Sequence, residues 1–319
     1  NYTSLVSDGN YKILIDTTTK EVIGSLAFGE VNSDVLAAMS MTSAIADYAF
    51  EGCTGLTSLD LSNFTGTIGS EAFFMCSSLT LDNITLPTSN PNYTSLVSDG
   101  NYKILIDTTT KEVIASLAFG EVNSDVLSAM NMTSAIVGGA FDGCTSLTSL
   151  DLSNFTGTIG NNAFALCTGI SSLTIPSTVA SIEDDAFWGC SGIISLNLSN
   201  FTGTIGSGAF ASCSSIIMLT IPSAITTISS YTFEECTSLT SVTFNSILTS
   251  VGEGAFENCL NVTSFTFATN QTTTGLTIHE FAFSGCASSG RVYGGISNKA
   301  DILHSMKNDG GLPTGWKAG

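Results

Sequence analysis

Nine cysteines occur in this chain, and each lies three residues after a phenylalanine. The pairs are Phe50/Cys53, Phe73/Cys76, Phe141/Cys144, Phe164/Cys167, Phe187/Cys190, Phe210/Cys213, Phe233/Cys236, Phe256/Cys259 and Phe283/Cys286. From Cys144 to Cys259 they advance in steps of 23 residues, and Cys53 to Cys76 is another such step. A period of that length marks a solenoid, in which each unit buries its apolar face only against its neighbours.

Aligned on Cys, the units read Cys-x-x-Leu-x-x-Leu-x-Leu, a turn, an Ile or Val, then Ala-Phe before the next Cys. Cys144 through Leu152, completed by Ile159 and Ala163-Phe164, shows the pattern in full. Alternation at Leu150 and Leu152 is strand periodicity, so adjacent coils should align short strands into a parallel sheet. Residues 160–167 read as one short helical turn on the opposite face. One coil type carries Leu-Ser-Asn-Phe-Thr-Gly-Thr-Ile from Leu61, Leu152 and Leu198. The other carries Ile-Pro-Ser at Ile175 and Ile221. Asn63, Asn154 and Asn200 are expected to turn inward as an asparagine ladder, their amides bonding turn carbonyls.

A longer repeat overlies the first, since residues 1–73 recur almost unchanged as 92–164. Two segments break the period. Residues 102–106 and 111–114 predict a β-hairpin, duplicated at 11–23. An insertion around 270–279 stretches one Cys-to-Cys step to 27 residues. At the C-terminal end, Arg291-Val292-Tyr293 should be a final strand. Ser297 or Asn298 should cap a helix over 299–307, with Gly310-Gly311 stopping it. Leu312, Pro313 and Trp316 should supply apolar cover. The organisation expected is a solenoid over 1–289 and a cap over 290–319, with no matching cap at the N-terminal end.

Composition limits the partners. The 27 acids against 8 bases give a net charge of −19. That excludes a nucleic-acid partner, which needs clustered Lys and Arg. No run of about 18 apolar residues exists to cross a bilayer. The first residues lack the basic start and apolar middle of a signal peptide, as in a secreted mature fragment or a piece excised from a longer chain. Nine thiols cannot all pair, and stacked in register they lack disulfide geometry, so a column of buried free thiols is expected. No CxxC pair or Cys/His cluster points to a metal.

The Leu-x-x-Leu-x-Leu strands, Ile-Pro-Ser turns and Ala-Phe-x-x-Cys corners resemble the BspA-like leucine-rich repeats, the Treponema-type class of 23 residues, over roughly residues 1–289. The resemblance implies an α/β, mainly parallel β, right-handed curved solenoid, with short helical turns on its convex face and a C-terminal strand–helix cap. It also implies a secreted or cell-surface protein of the adhesion type, with no catalytic residue and no cofactor.

Candidate sites are few. His279 and His304 have no nucleophile or acid at motif spacing, so no enzyme is expected. Outward columns on the strand face include Asp151, Thr174, Asn197, Thr220, Thr243 and Thr266, the candidate binding face for a protein or glycan. Acids at Glu183, Asp184, Asp185, Glu234, Glu235, Glu253 and Glu257 should be solvated charges that keep the chain soluble. Sequons at Asn83, Asn92, Asn131, Asn197, Asn261 and Asn270 are candidate glycosylation sites. Two functions follow as expectations. One is adhesion through the solenoid surface, outside the cell or on it. The other is a structural role, with subunits stacked end to end into a filament through the uncapped end.

Overall fold

A Leu-x-Leu pattern repeated every 23 residues should give short parallel strands, and it does. The computed structural model describes residues 2–7, 9–39, 41, 43–69, 72–98, 101–109, 113–294 and 299–319. They form two compact units, Asn1–Val122 with Ala140–Thr148, and Asn123–Gly139 with Ser149–Gly319.

In the second unit, strands Ser172–Thr174 and Ser195–Asn197 pair in parallel. Met218–Ile221, Ser241–Phe244, Ser264–Thr266, Arg291–Tyr293 and Lys317–Ala318 follow in a second parallel sheet. Their inward residues, Leu219, Val242, Phe265 and Val292, are buried. Two-residue strands line another face, beginning with Ala135–Ile136, Thr158–Ile159, Ser181–Ile182 and Thr204–Ile205. Thr227–Ile228, Ser250–Val251 and Thr277–Ile278 form the next set. The β-branched Thr-Ile pairs suit these pleats. The glycine before Thr158 and before Thr204 is forced by coil spacing: a Cβ on Gly157 would lie 1.8 Å from the Ser134 carbonyl oxygen, and one on Gly203 2.2 Å from the Ala180 carbonyl oxygen.

Phenylalanines and thiols pile up at the corner between these faces. Rings of Phe164, Phe187, Phe210, Phe233, Phe256 and Phe283 stack nearly parallel at 5.4–5.7 Å. The Phe187 carbonyl accepts the Cys190 N–H of its own coil at 3.2 Å. It also accepts the Cys213 thiol of the next coil at 3.2 Å. The same thiol-to-carbonyl contact joins Cys190 to Phe164 and Cys259 to Phe233. All nine cysteines are buried thiols outside any disulfide.

This corner is not the helical turn that the spacing suggested. Asn162 and Leu166 both adopt positive φ, 55° and 57°, and the same two positions do so in later coils, for example Asp185 and Gly189. A left-handed residue at both ends of the segment prevents helical propagation, leaving a run of turns. The asparagine ladder is also absent: Asn63, Asn154 and Asn200 are exposed. Phe64, Phe155 and Phe201 occupy the interior instead, 5%, 3% and 0% exposed, because a ring recovers more burial energy than an amide needing partners.

The first unit adds antiparallel sheet to parallel coils. Tyr2–Ser7, Tyr11–Asp16 and Phe28–Val31 form a meander whose last strand pairs in parallel with Gly55–Asp60, then Ile84–Thr85. In the duplicate, Tyr93–Ser98 pairs with Tyr102–Asp107, which pairs with Val113–Val122. The predicted hairpin is therefore the later part of a three-stranded meander; Lys111 lies outside the described residues. In the first copy the expected return strand at 20–23 is reduced to one bridge, Ile15 to Val22. A six-residue helix, Ser33–Ala38, follows, capped by Asn32 Oδ1 accepting the Asp34 and Val35 N–H groups. Its copy in the second unit is Ser124–Ala129, capped likewise by Asn123.

The C-terminal helix of the second unit spans Lys299–Asn308. Its expected caps, Ser297 and Asn298, lie outside the described residues. Gly310 carbonyl accepts the Phe283 N–H at 2.7 Å. The equivalent acceptor for Phe256 is Ala282 of a following coil. Trp316, 2% exposed, packs 5.3 Å from the Phe265 ring and donates its indole N–H to Ala287 carbonyl at 2.7 Å. Arg291–Tyr293 is not the final strand, since Lys317–Ala318 pairs beside it.

Candidate interaction surface

Parallel registry decides which outward side chains become neighbours. Thr174 sits beside Asn197 in one sheet, and Thr220, Thr243 and Thr266 follow one another in the next. Asp151 lies one residue beyond its strand. Asp151, Thr174, Asn197 and Thr220 are exposed, whereas Thr243 and Thr266 are half-buried. Two of these groups also serve their own turns. Asp151 Oδ1 accepts the Ser153 N–H at 2.9 Å and Asn197 Oδ1 the Ser199 N–H at 3.0 Å.

The columns extend further than their Ser and Thr content suggests. Thr266 pairs with Tyr293, and Ser264 pairs with Arg291, which pairs with Lys317. Sequence reasoning placed Arg291–Tyr293 in a strand but left it out of the columns. The 27-residue step is the signal that aligns it with Ser264–Thr266. At the other end of this sheet Met218 is 68% exposed, next to Ile217 and Ile194 at 46% and 54%. The face thus runs from an apolar group, across hydroxyls, to an aromatic and two cations.

Acids on the turn face act as clamps as well as charges. Asn161 Oδ1 accepts the Asp184 N–H at 3.1 Å, and Asp184 Oδ1 accepts the Ser207 N–H at 2.7 Å, each one coil further on. Glu253 accepts the Tyr231 hydroxyl at 2.8 Å and Glu235 the Ser212 hydroxyl at 3.0 Å. Burial, reinforced by Asp184, raises the Asp185 carboxyl above its ordinary value. Burial, with Glu235 and Glu257 adding repulsion, does the same to Glu234. Among the described residues, no group of three His, Cys, Asp or Glu side chains is arranged to hold a metal. His304 is exposed and lies 2.7 Å from the Asn308 amide, and His279 is exposed beside the Thr277–Ile278 strand.

The sequons differ in access. Asn131, Asn197, Asn261 and Asn270 are exposed, while Asn83 and Asn92 are half-buried. Asn83 donates its amide to Ser78 carbonyl at 2.9 Å. Among the described residues no helix is long and apolar enough to cross a membrane.

The family model of the BspA type leucine rich repeat region matches in six copies, over residues 11–102, 112–216 and 203–293. The chain belongs to this family. BspA-type repeat proteins are often surface-associated and are typically non-enzymatic scaffolds. No curated protein matches the chain. Among solved structures, a leucine-rich-repeat protein of Treponema pallidum is 20% identical, with a TM-score of 0.43, covering 73% of this chain and 97% of that one. One from Bacteroides ovatus is 20% identical at a TM-score of 0.39, covering 92% and 70%. A leucine-rich cell surface protein of Faecalibacterium prausnitzii is 17% identical at 0.35, covering 92% and 84%. The assignment rests on the repeat model rather than on these likenesses.

Proposed function

We propose that this BspA-type chain is a non-enzymatic extracellular or cell-surface module that mediates adhesion, contacting a protein or glycan through the outward strand rows of its second unit. The observation that carries the reading is the registry itself. Five strands hold Thr220, Thr243, Thr266 and Tyr293 in one row and Met218, Ser241, Ser264, Arg291 and Lys317 in another. A repeat array fixes such rows at strand spacing without further ordering cost, which is what an extended contact surface needs.

The test is adhesion of the purified chain to cultured host cells, immobilised matrix proteins and a glycan array. Thr174→Arg and Thr220→Arg, both at exposed positions, should reduce binding at least tenfold while leaving the melting temperature unchanged. No binding at tens of micromolar, or binding insensitive to both substitutions, would reject the surface. If the chain passes through a eukaryotic secretory route, the exposed Asn131, Asn197, Asn261 and Asn270 are the candidate acceptors for glycan.

End-to-end stacking into a filament is the less supported reading. Gly310 already accepts the Phe283 N–H and Trp316 already covers Phe265, so the last coil of the second unit has a cap in the place a partner would take.

A further inference from the structure

We infer that the outward face of the five-stranded sheet binds an extended acidic polypeptide segment, with an apolar side chain four residues before a carboxylate and a second carboxylate two residues later. This deepens the proposed adhesion role and rests on it. Three observations define the occupant. First, strand pairing sets Arg291 directly beside Lys317, with the half-exposed Tyr293 on the same strand and face. Both cations are exposed, and they are two of only 8 basic residues in a chain of net charge −19. Second, Met218 occupies the same row as Arg291, with Ile217 beside it and Ile194 one coil back, all three exposed. Third, only Ser241 and Ser264 separate Met218 from Arg291 in that row.

The spacing selects the ligand's conformation. Neighbouring strands lie about 4.8 Å apart, so Met218 and Arg291 are about 14 Å apart and Lys317 one spacing further. An extended peptide advances about 3.3 Å per residue and shows alternate side chains on one face. Four residues cover the first interval and six the whole, both even numbers, so the three contacting side chains fall on the same side. Met, Tyr and Arg are also the residue types enriched at the cores of protein–protein contacts. Arg291 can pair with a carboxylate through two N–H groups, which gives the acidic end its orientation.

The experiment uses the full chain and a fluorescein-labelled peptide, Gly-Ser-Leu-Ser-Thr-Ser-Glu-Ser-Glu-Ser-Gly, followed by fluorescence anisotropy. Binding should weaken about fivefold in Arg291→Gln and about twentyfold in Arg291→Gln/Lys317→Gln, the size of exposed ion pairs converted to affinity. Arg291→Lys should recover part of the loss, and Met218→Ser should weaken binding without changing its salt dependence. A peptide with Leu moved one residue should bind more weakly, as its apolar side chain would face away. All variants are at exposed positions, and unchanged circular dichroism melts would confirm that they fold. Absence of peptide binding, or equal binding by the double variant, overturns the inference. A sulfated oligosaccharide that binds more tightly than the peptide, with the same loss in the double variant, assigns the face to a glycan instead. Concentration-dependent dimers abolished by Arg291→Gln assign it to a second copy. Cell adhesion that survives the double variant but fails in Thr220→Arg leaves the proposed function standing and removes only the acidic segment.

Discussion

The phenylalanine at each corner uses both backbone groups to tie coils together. Phe210 donates its N–H to Thr232 and receives the Cys236 thiol on its carbonyl. Its ring is sandwiched between Phe187 at 5.4 Å and Phe233 at 5.7 Å. Phe210→Ala should therefore cost about 3–5 kcal/mol, since no neighbour can collapse into a space bounded by rings on both sides. Urea unfolding of the variant measures it. The thiol is chosen over a methyl because it supplies a donor while remaining small and apolar. Burial pushes Cys76 and Cys259 up to about 12 from the ordinary 9.0, and raises Cys213, Cys236 and Cys286 well above it. Well below pH 9 these thiols are protonated whether the chain is folded or not, so they add no pH dependence there. Between 9 and about 12 the unfolded chain releases protons that the native chain retains, so stability should fall steadily as pH rises through that window. Urea midpoints recorded from pH 8 to 11 should decline from about pH 9, and a flat profile would contradict the buried column. In the same vein, thiol reagents at pH 8 should label the native chain slowly and the urea-unfolded chain at once.

At the scale of elements, the duplicated meander provides its own control. Tyr93 is 7% exposed, and its hydroxyl accepts the buried Ile68 N–H at 2.6 Å. Tyr2, at the same place in the first copy, is 66% exposed. Tyr93→Phe strands the Ile68 N–H and should cost about 1–3 kcal/mol, while Tyr2→Phe should change the urea midpoint negligibly. Equal effects would mean that the two copies are packed alike. Sequence periodicity carried the corner directly, because a residue type that returns every 23 positions must meet its own image in the next coil. The meander was only partly legible. Tyr93–Ser98 alternates weakly, with Thr and Ser between its apolar residues, and its partner Tyr102–Asp107 carried the stronger signal. The helices Ser33–Ala38 and Ser124–Ala129 were missed because six residues give too few turns for a period; the Asn before Ser-Asp was the only mark they left. On the candidate face, Thr220, Thr243 and Thr266 were legible from the 23-residue step. Arg291 and Tyr293 were not, because the insertion beside Gln271 changes the step. That insertion is held by Gln271, 2% exposed, which accepts the Leu248 N–H and donates to the Leu248 carbonyl.

For the molecule as a whole, each coil of the second unit is stabilised mainly by its immediate neighbours, so the last coil depends on whatever covers it. Phe283 and Phe265 would face water without Gly310 and Trp316. The two tryptophans make this measurable, because Trp188 is 40% exposed whereas Trp316 is 2% exposed. In a Trp188→Phe background the remaining indole reports the cap alone. If the array frays from its end, Trp316 fluorescence should change at lower urea than the far-ultraviolet circular dichroism of the sheet. Trp316→Ala should remove about 3–5 kcal/mol from the cap and lower the circular dichroism midpoint as well, because the Phe265 end of the last coil then loses the ring that covers it. Coincident fluorescence and circular dichroism transitions would instead show the cap and the coils beneath it melting as one cooperative block, with nearest-neighbour coupling strong enough to suppress fraying.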